Sequence, residues 1–388
     1  MGDRSVARIA GFALAGGLAS FLAWSGHVAL VPLSLALPLL CGVSRSRWEW
    51  MVAAASYFLV GSRGLIVGSS RFFGDGIATG LVLWLAGSLV FIFVYTMCWR
   101  ERPLHKGIGF VLATCLLALP PLGITGWLSP LTSAGMILPG TAMVGLLLTL
   151  GLCGLLATGR RALVAPTIAA AVLASANMAV LPVQSTSPEG WVGIDTQVDF
   201  ETGDNNPAAQ MQLIDLMSRA VFERDAEVLV FPESALGQVS DPSLALLTGA
   251  AFASNKVVIA GGGLREEGSR VNAVFQLGRT SATVEPVYEQ RMPVPVSMWR
   301  PWSDDSFDAT IIGPSVQEVA GTQAAFFICY EQLLVWPYVL SHVEGADHFV
   351  GIANDWWADD TTIPDVQKAS MQAWARLFGV KLTMSFNT

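Results

Sequence analysis

Charge is what this 388-residue sequence has least of: 13% of its residues are Asp, Glu, Lys or Arg, where soluble domains carry about 25%. That deficit, with 53% hydrophobic residues and a mean hydropathy of +0.53, excludes an ordinary water-soluble enzyme. Cysteine is sparse too. Cys41, Cys98, Cys115 and Cys153 lie in apolar stretches, where a thiol is most often a small buried hydrophobe. Cys329 is alone in the second half, so that half has no internal disulfide and must be held by its core, and this thiol serves either packing or chemistry. His342 and His348 flank Asp347 with wider spacing than zinc sites use, and no metal or other cofactor is expected. Neither an internal repeat nor a low-complexity linker interrupts the chain.

The few charges are shared unevenly. Residues 1–183 hold 11 Lys and Arg against 4 Asp and Glu, and residues 184–388 hold 11 against 26. The chain therefore divides into a membrane half, 1–183, and an acidic soluble half, 184–388. The first half contains seven apolar segments, at about 7–24, 27–43, 51–68, 76–98, 108–128, 134–157 and 162–183. A span needs about 20 apolar residues, or about 17 when it is upright, so six qualify and the third, which contains Arg63, is marginal. An arginine there belongs near an interface or on a partner. Pro120, Pro121 and Pro139 imply kinks in the fifth and sixth segments. Arg4 and Arg8, Arg45 and Arg47, Arg100, Arg102 and Lys106, then Arg160 and Arg161 occupy every second connection, while the alternate connections carry only Arg71. Basic loops stay cytoplasmic, so the N-terminus is expected inside and residue 184 outside.

Beyond Trp191 the pattern changes to short β-rich runs and amphipathic helices. Strands are expected at Trp191–Gln197, Glu227–Phe231, Val257–Ala260, Asn272–Leu277, Thr283–Val287, Ala324–Cys329, His348–Ala353 and Val380–Phe386, with helices at Asn206–Arg224, Gln332–His342 and Pro364–Phe378. This alternation indicates a layered α/β domain. Gly261-Gly262-Gly263 follows a strand without a helix after it and reads as a turn, not a phosphate loop. Two apolar strands end in polar groups a core would not choose: Phe231 is followed by Pro232-Glu233-Ser234, and Ile328 by Cys329-Tyr330-Glu331. Ligands of α/β sheets sit beyond strand carboxyl ends, which makes Glu233 and Cys329 candidates for chemistry. Each also has a purely structural reading, as a helix cap and a buried thiol.

Four ordered strings, Phe231-Pro232-Glu233-Ser234, Tyr288 to Pro301, Ile328-Cys329-Tyr330-Glu331 and Asn354-Asp355-Trp356-Trp357, resemble the nitrilase superfamily. With the membrane half they resemble its apolipoprotein N-acyltransferase branch, a helical bundle followed by an extracytoplasmic αββα domain. The resemblance implies a Glu base at Glu233 and a Cys nucleophile at Cys329. Glu331 belongs to the same catalytic surroundings, and Tyr330 and Trp357 are the expected substrate-binding residues. Anchored on Tyr288, Pro295 and Pro301, the family's Lys falls on Gln290 and its loop Glu on Met298. A neutral amide brings no charge to an oxyanion, and loss of one good donor costs about 10²- to 10³-fold in rate. Arg291, with Arg300 second, is the candidate replacement cation, although strand alternation points it away from Gln290. By the same resemblance, Trp374 and Leu377 in the helix near Pro364–Phe378 stand where the family carries Arg and Glu, and the family's C-terminal end is expected to be missing.

The altered Lys segment and the Gly61-Ser62-Arg63-Gly64 region resemble a plasmid-borne branch, the TraB-type conjugal transfer proteins. The resemblance implies a multi-pass protein of the bacterial inner membrane with a periplasmic domain. Its partners would be membrane lipids, lipoprotein or other envelope components and the conjugation machinery. The acidic second half argues against direct nucleic-acid binding. Two functions remain open: an acyltransferase or amidase that forms a Cys329 thioester, and a degenerate scaffold that keeps the fold.

Overall fold

The computed structural model describes residues 3–159, 186–198, 207–239, 241–266, 269–278 and 286–388, with residues 169, 172, 176 and 177. The expected seventh span, 162–183, falls outside this range apart from those four residues. Two compact units emerge. The first joins Met1–Gln184 to Leu333–Val339 and Asp360–Gly379, and the second comprises Ser185–Gln332, Leu340–Asp359 and Val380–Thr388.

The first unit is helical because its apolar runs offer no side-chain competitor for the backbone, so each N–H and C=O is satisfied within its own helix. Its elements are α1 (Asp3–Ala23), α2 (Ala36–Val43), α3 (Arg47–Gly61), α4 (Gly64–Phe73), α5 (Ile77–Cys98), α6 (Pro103–Ala118), α7 (Ala134–Ile137) and α8 (Ala142–Ala157). Among the described residues two stretches, Ser5–Ala23 and Ile77–Cys98, are long and apolar enough to cross a membrane, and α3 with α4 makes a third if a 49° bend is allowed. Leu81, Val82, Leu85, Leu89 and Phe93 of α5 face outward. The inner faces meet in an aromatic core in which Phe58 stacks on Phe91 at 4.4 Å and the Trp24 indole donates to the Tyr57 hydroxyl at 2.8 Å.

Several expected spans are interrupted. The second begins as a 3-10 stretch, Val28–Leu35, before α2. The third breaks at Ser62-Arg63, where the Arg63 guanidinium lies 4.5 Å from the Phe21 ring centre and donates to the Val60 carbonyl at 3.1 Å. Pro120 and Pro121 follow the end of α6, which stops at Ala118 where a kink was expected, and Pro139 lies between α7 and α8. Proline has no N–H to continue the ladder.

One neighbour of this core comes from far along the chain. Helix α12 (Ile363–Phe378) runs over glycines: a Cβ at Gly135 would overlap the Ala373 carbonyl, one at Gly64 would stand 2.9 Å from Ile363 Cγ1, and one at Gly145 3.0 Å from Leu377 Cδ1. Trp374 stacks on Tyr338 at 5.2 Å, Arg376 Nε donates to the Gly135 carbonyl at 3.3 Å, and Asp360 pairs with Arg71 at 2.8 Å. Trp374 and Leu377 thus pack within this unit.

The second unit holds two sheets. The first has order β1 (Trp191–Gly193), β2 (Val228–Val230), β3 (Val257–Glu266), β4 (Ser269–Leu277), β5 (Pro286–Glu289). The second has order β6 (Val316–Val319), β7 (Thr322–Ile328), β8 (His348–Asn354), β9 (Lys381–Asn387). β1 to β3 run parallel, as do β7 to β9, and β3 to β5 form an antiparallel meander. Continuous apolar runs suit such strands because both faces are covered. Val228, Val230, Ile259 and Tyr288 of one sheet pack with Phe326, Ile328, Ile352 and Phe386 of the other. The first sheet's opposite face, through Leu229, Phe231, Val258 and Phe275, packs with Met217 and Val221 of α9 (Pro207–Glu223) and Leu247 and Ala251 of α10 (Asp241–Ala253). The first sheet therefore lies between the helices α9 and α10 and the second sheet.

Gly261-Gly262-Gly263 lies inside β3, where a turn was expected. The segment after Glu233 crosses directly above it: a Cβ on Gly261 would come 2.6 Å from Glu233 Cα, and one on Gly262 2.7 Å from Val239 Cγ2. Only glycine permits that approach, so the triplet sets the depth at which Glu233 sits. The helix expected at Gln332–His342 is split into a 3-10 turn, Cys329–Leu333, and α11 (Trp336–Val343). His348 is buried against Thr383 Oγ1 at 2.9 Å and the Trp191 ring at 4.4 Å.

Candidate active site

Both parallel sheets end their strands at one place. β2 continues through Phe231 and Pro232 to Glu233, and β7 runs straight into Cys329, which has a φ of 45°. A left-handed backbone at a non-glycine residue is costly and survives only where surrounding structure imposes it, as at a strand-to-helix turn that presents a nucleophile. Here the 3-10 turn Cys329–Leu333 follows at once.

Glu233 is buried, with 6% of its surface exposed, and its carboxylate accepts from Asn272 Nδ2 at 2.6 Å and from the Asn354 N–H at 3.0 Å. Burial pushes its pKa up to about 7, against the hydrogen bonds from Asn272, Asn354 and the Cys329 thiol. A carboxylate near neutrality in contact with a thiol is suited to take its proton. The thiol also lies 4.0 Å from Asp355 Oδ1, just past the end of β8.

Gln290 faces this cluster. Its Oε1 accepts from Asn272 Nδ2 at 2.9 Å and its Nε2 donates to the Ile328 carbonyl at 3.1 Å, so one asparagine bridges it to Glu233. Arg291 is turned the other way by strand alternation. Its guanidinium donates to Ser341 Oγ at 3.3 Å and lies 6.0 Å from the Tyr288 ring centre. This placement corrects the expectation that Arg291 stands in for the family's Lys beside Gln290. Arg300 is held at the surface by Asp305, whose main-chain carbonyl accepts from its Nη2 at 2.8 Å.

Glu331 has a staple's contacts. Its Oε1 accepts from Tyr288 Oη at 2.8 Å, the Arg291 N–H at 2.6 Å and the Met292 N–H at 3.1 Å, and its Oε2 from the Ile328 N–H at 2.8 Å. Burial raises its pKa, opposed chiefly by Arg291. It ties the Tyr288 segment to the residue before the thiol. Tyr330 is buried, which pushes its phenol well up and keeps it neutral. Trp357 is half-buried on the turn Trp356–Ala358, and Met298 is half-buried in the loop after β5. Sequence reasoning brought forward Glu233, Cys329 and Gln290, and missed Asn272 and the contact of Asp355. The available signal for Asn272 was an amide set between the apolar Val271 and Ala273.

The domain with this site is of the nitrilase class: residues 196–376 match the carbon-nitrogen hydrolase family. Across the whole chain, the probable conjugal transfer protein TraB of Sinorhizobium fredii (strain NBRC 101917 / NGR234) is 34% identical over 373 residues, covering 94% of each protein. The conjugal transfer protein TraB of Agrobacterium fabrum (strain C58 / ATCC 33970) is 34% identical over 386 residues, covering 94% of this chain and 89% of that one. The chain belongs to the TraB family of conjugal transfer proteins. A solved amidase of Nesterenkonia AN1 aligns at 16% identity with a TM-score of 0.37, over 53% of this chain and 79% of its own, and the assignment does not rest on it.

Proposed function

We propose that this chain is a multi-pass inner-membrane component of plasmid conjugation whose nitrilase-type domain performs acyl transfer through Cys329. The observation that carries the reading is the buried Glu233 carboxylate, with its pKa at about 7 and a hydrogen bond to the Cys329 thiol. Glu233 takes the thiol proton as Sγ bonds to the acyl carbon of a lipid or amide donor. The donor's alcohol or amine leaves with the proton returned by Glu233, and an amine or water then releases the acyl group. The amide of Gln290 offers the developing oxyanion neutral polarity only, so a slower reaction than that of a lysine-bearing relative is expected. Tyr330 and Trp357 are the proposed acyl-side contacts.

Seven spans with a cytoplasmic N-terminus, a periplasmic domain, and lipids, envelope lipoproteins and the conjugation machinery as partners complete the proposal; nucleic acid is not among them. One observation favours a scaffold without chemistry: both ends of the Gln290 amide are engaged, by Asn272 and the Ile328 carbonyl. The test is to incubate the purified protein with a lipid-like acyl probe and read its intact mass. A thioester adduct absent from Cys329→Ala supports the enzyme, and no adduct under any condition leaves the scaffold.

A further inference from the structure

Asn387 ends β9, opposite Asn354 in the parallel register with β8, and is 1% exposed. Such a position usually takes an apolar side chain, yet here an amide uses all its capacity. Its Oδ1 accepts from Thr196 Oγ1 at 2.7 Å and the Val198 N–H at 2.8 Å, and its Nδ2 donates to the Val198 carbonyl and to Asn354 Oδ1, each at 2.9 Å. Its main-chain carbonyl accepts from the Asp355 N–H at 2.7 Å. Both residues of the Asn354-Asp355 turn are thus held by one partner. The same turn supplies the Asn354 N–H to Glu233 and the Asp355 carboxylate to the face of the Cys329 thiol.

We infer that Asn387 is a positioning residue of the site, clamping the Asn354-Asp355 turn so that Glu233 keeps its main-chain donor and Cys329 keeps its carboxylate neighbour. This rests on the proposed roles of Glu233 and Cys329. The titratable groups facing Glu233 are Cys329 and Glu331 from the end of β7, with Asp355 beyond the thiol at the end of β8; Asn272 and Gln290 on the β4 and β5 side are neutral. Releasing the turn removes one of the donors that favour the ionised carboxylate, so Glu233 would hold its proton to higher pH.

The experiment follows alkylation of Cys329 by iodoacetamide in the full-length, detergent-solubilised chain, reading the Cys329 peptide by mass spectrometry across pH. In the wild type the rate rises through a midpoint set by Glu233. Asn387→Leu is expected to move that midpoint upward by about one pH unit, the effect of one hydrogen bond lost from a carboxylate. A residue that only stiffens the fold would lower the reacting fraction at every pH and leave the midpoint in place, and that result overturns the inference. Asn387→Ser, which removes the amide with less disturbance, reads the same midpoint if the leucine variant does not fold. Glu233→Gln separates the two levels: a wild-type midpoint that persists in it refutes the role of Glu233 itself, whereas its disappearance beside an unmoved Asn387 midpoint refutes the clamp alone.

Discussion

Replacing Glu233 by Gln isolates the cost of burying this carboxylate. Its pKa stands at about 7 against an ordinary glutamate value of 4.5. For an acid raised on folding, the native state holds the proton more tightly than the unfolded chain. The resulting stability is fully present below the unfolded pKa, declines above it, and is lost once pH passes the folded pKa. A difference of about 2.5 units corresponds to about 3 kcal/mol between pH 4 and pH 9. Glutamine does not titrate, so its curve should lack this fall. One Gln orientation also sets an amide nitrogen against the Asn354 N–H now received by Oε2, at a pH-independent cost of about 1 kcal/mol. The variant is therefore expected to be slightly less stable than wild type at pH 4 and more stable by about 2 kcal/mol at pH 9. In thermal unfolding of the solubilised protein, at about 2–4 °C per kcal/mol, the curves should cross at about pH 5, where the wild type has lost about 1 kcal/mol, and part by several degrees above neutrality. Parallel curves from pH 4 to pH 9 would refute the reasoning.

Gln290→Lys places an ammonium beside Asn272 and Glu233; it should lower the midpoint of Cys329 alkylation by at least about one pH unit and speed acylation by the lipid-like probe. Arg291→Ala removes a buried cation from Ser341, Tyr288 and Glu331 and should cost about 3–5 kcal/mol of stability, seen as a lowered melting temperature, while folded protein keeps its alkylation midpoint. Gly135→Val drives a side chain into the Ala373 carbonyl and should lower the melting temperature, in contrast to Gly151→Val, where the space is open. Reporter fusions should place Lys106 in the cytoplasm and Gln184 in the periplasm; reversal of either overturns the proposed topology.

The sequence exposed Glu233 and Cys329 because each follows an apolar strand with a polar residue, a contrast visible over a few neighbours. Asn272 and Asn387 were hidden by the same rule: each is an amide within a strand, and its value lies in partners contributed by distant elements. Arg291 stood as the nearest cation along the chain although alternation of side chains already set it apart from Gln290; what the sequence hid was its distant partner, Ser341. The glycine triplet read as a turn because nothing local reveals the segment crossing above it. In the helical unit the apolar runs were plain, but near-uniform hydrophobicity carries little periodic information, so the breaks at Ser62-Arg63 and around Pro139 could not be read as finished geometry.

The passage of α12 over glycines has an evolutionary consequence. A contact made through missing side chains has no spare volume on either side: Gly135 cannot enlarge without displacing the Ala373 main chain, and Gly145 cannot without pressing on Leu377. Substitutions along this helix are therefore judged by a surface encoded more than two hundred residues upstream, so positions 373–377 should vary in step with 135–145 across the family.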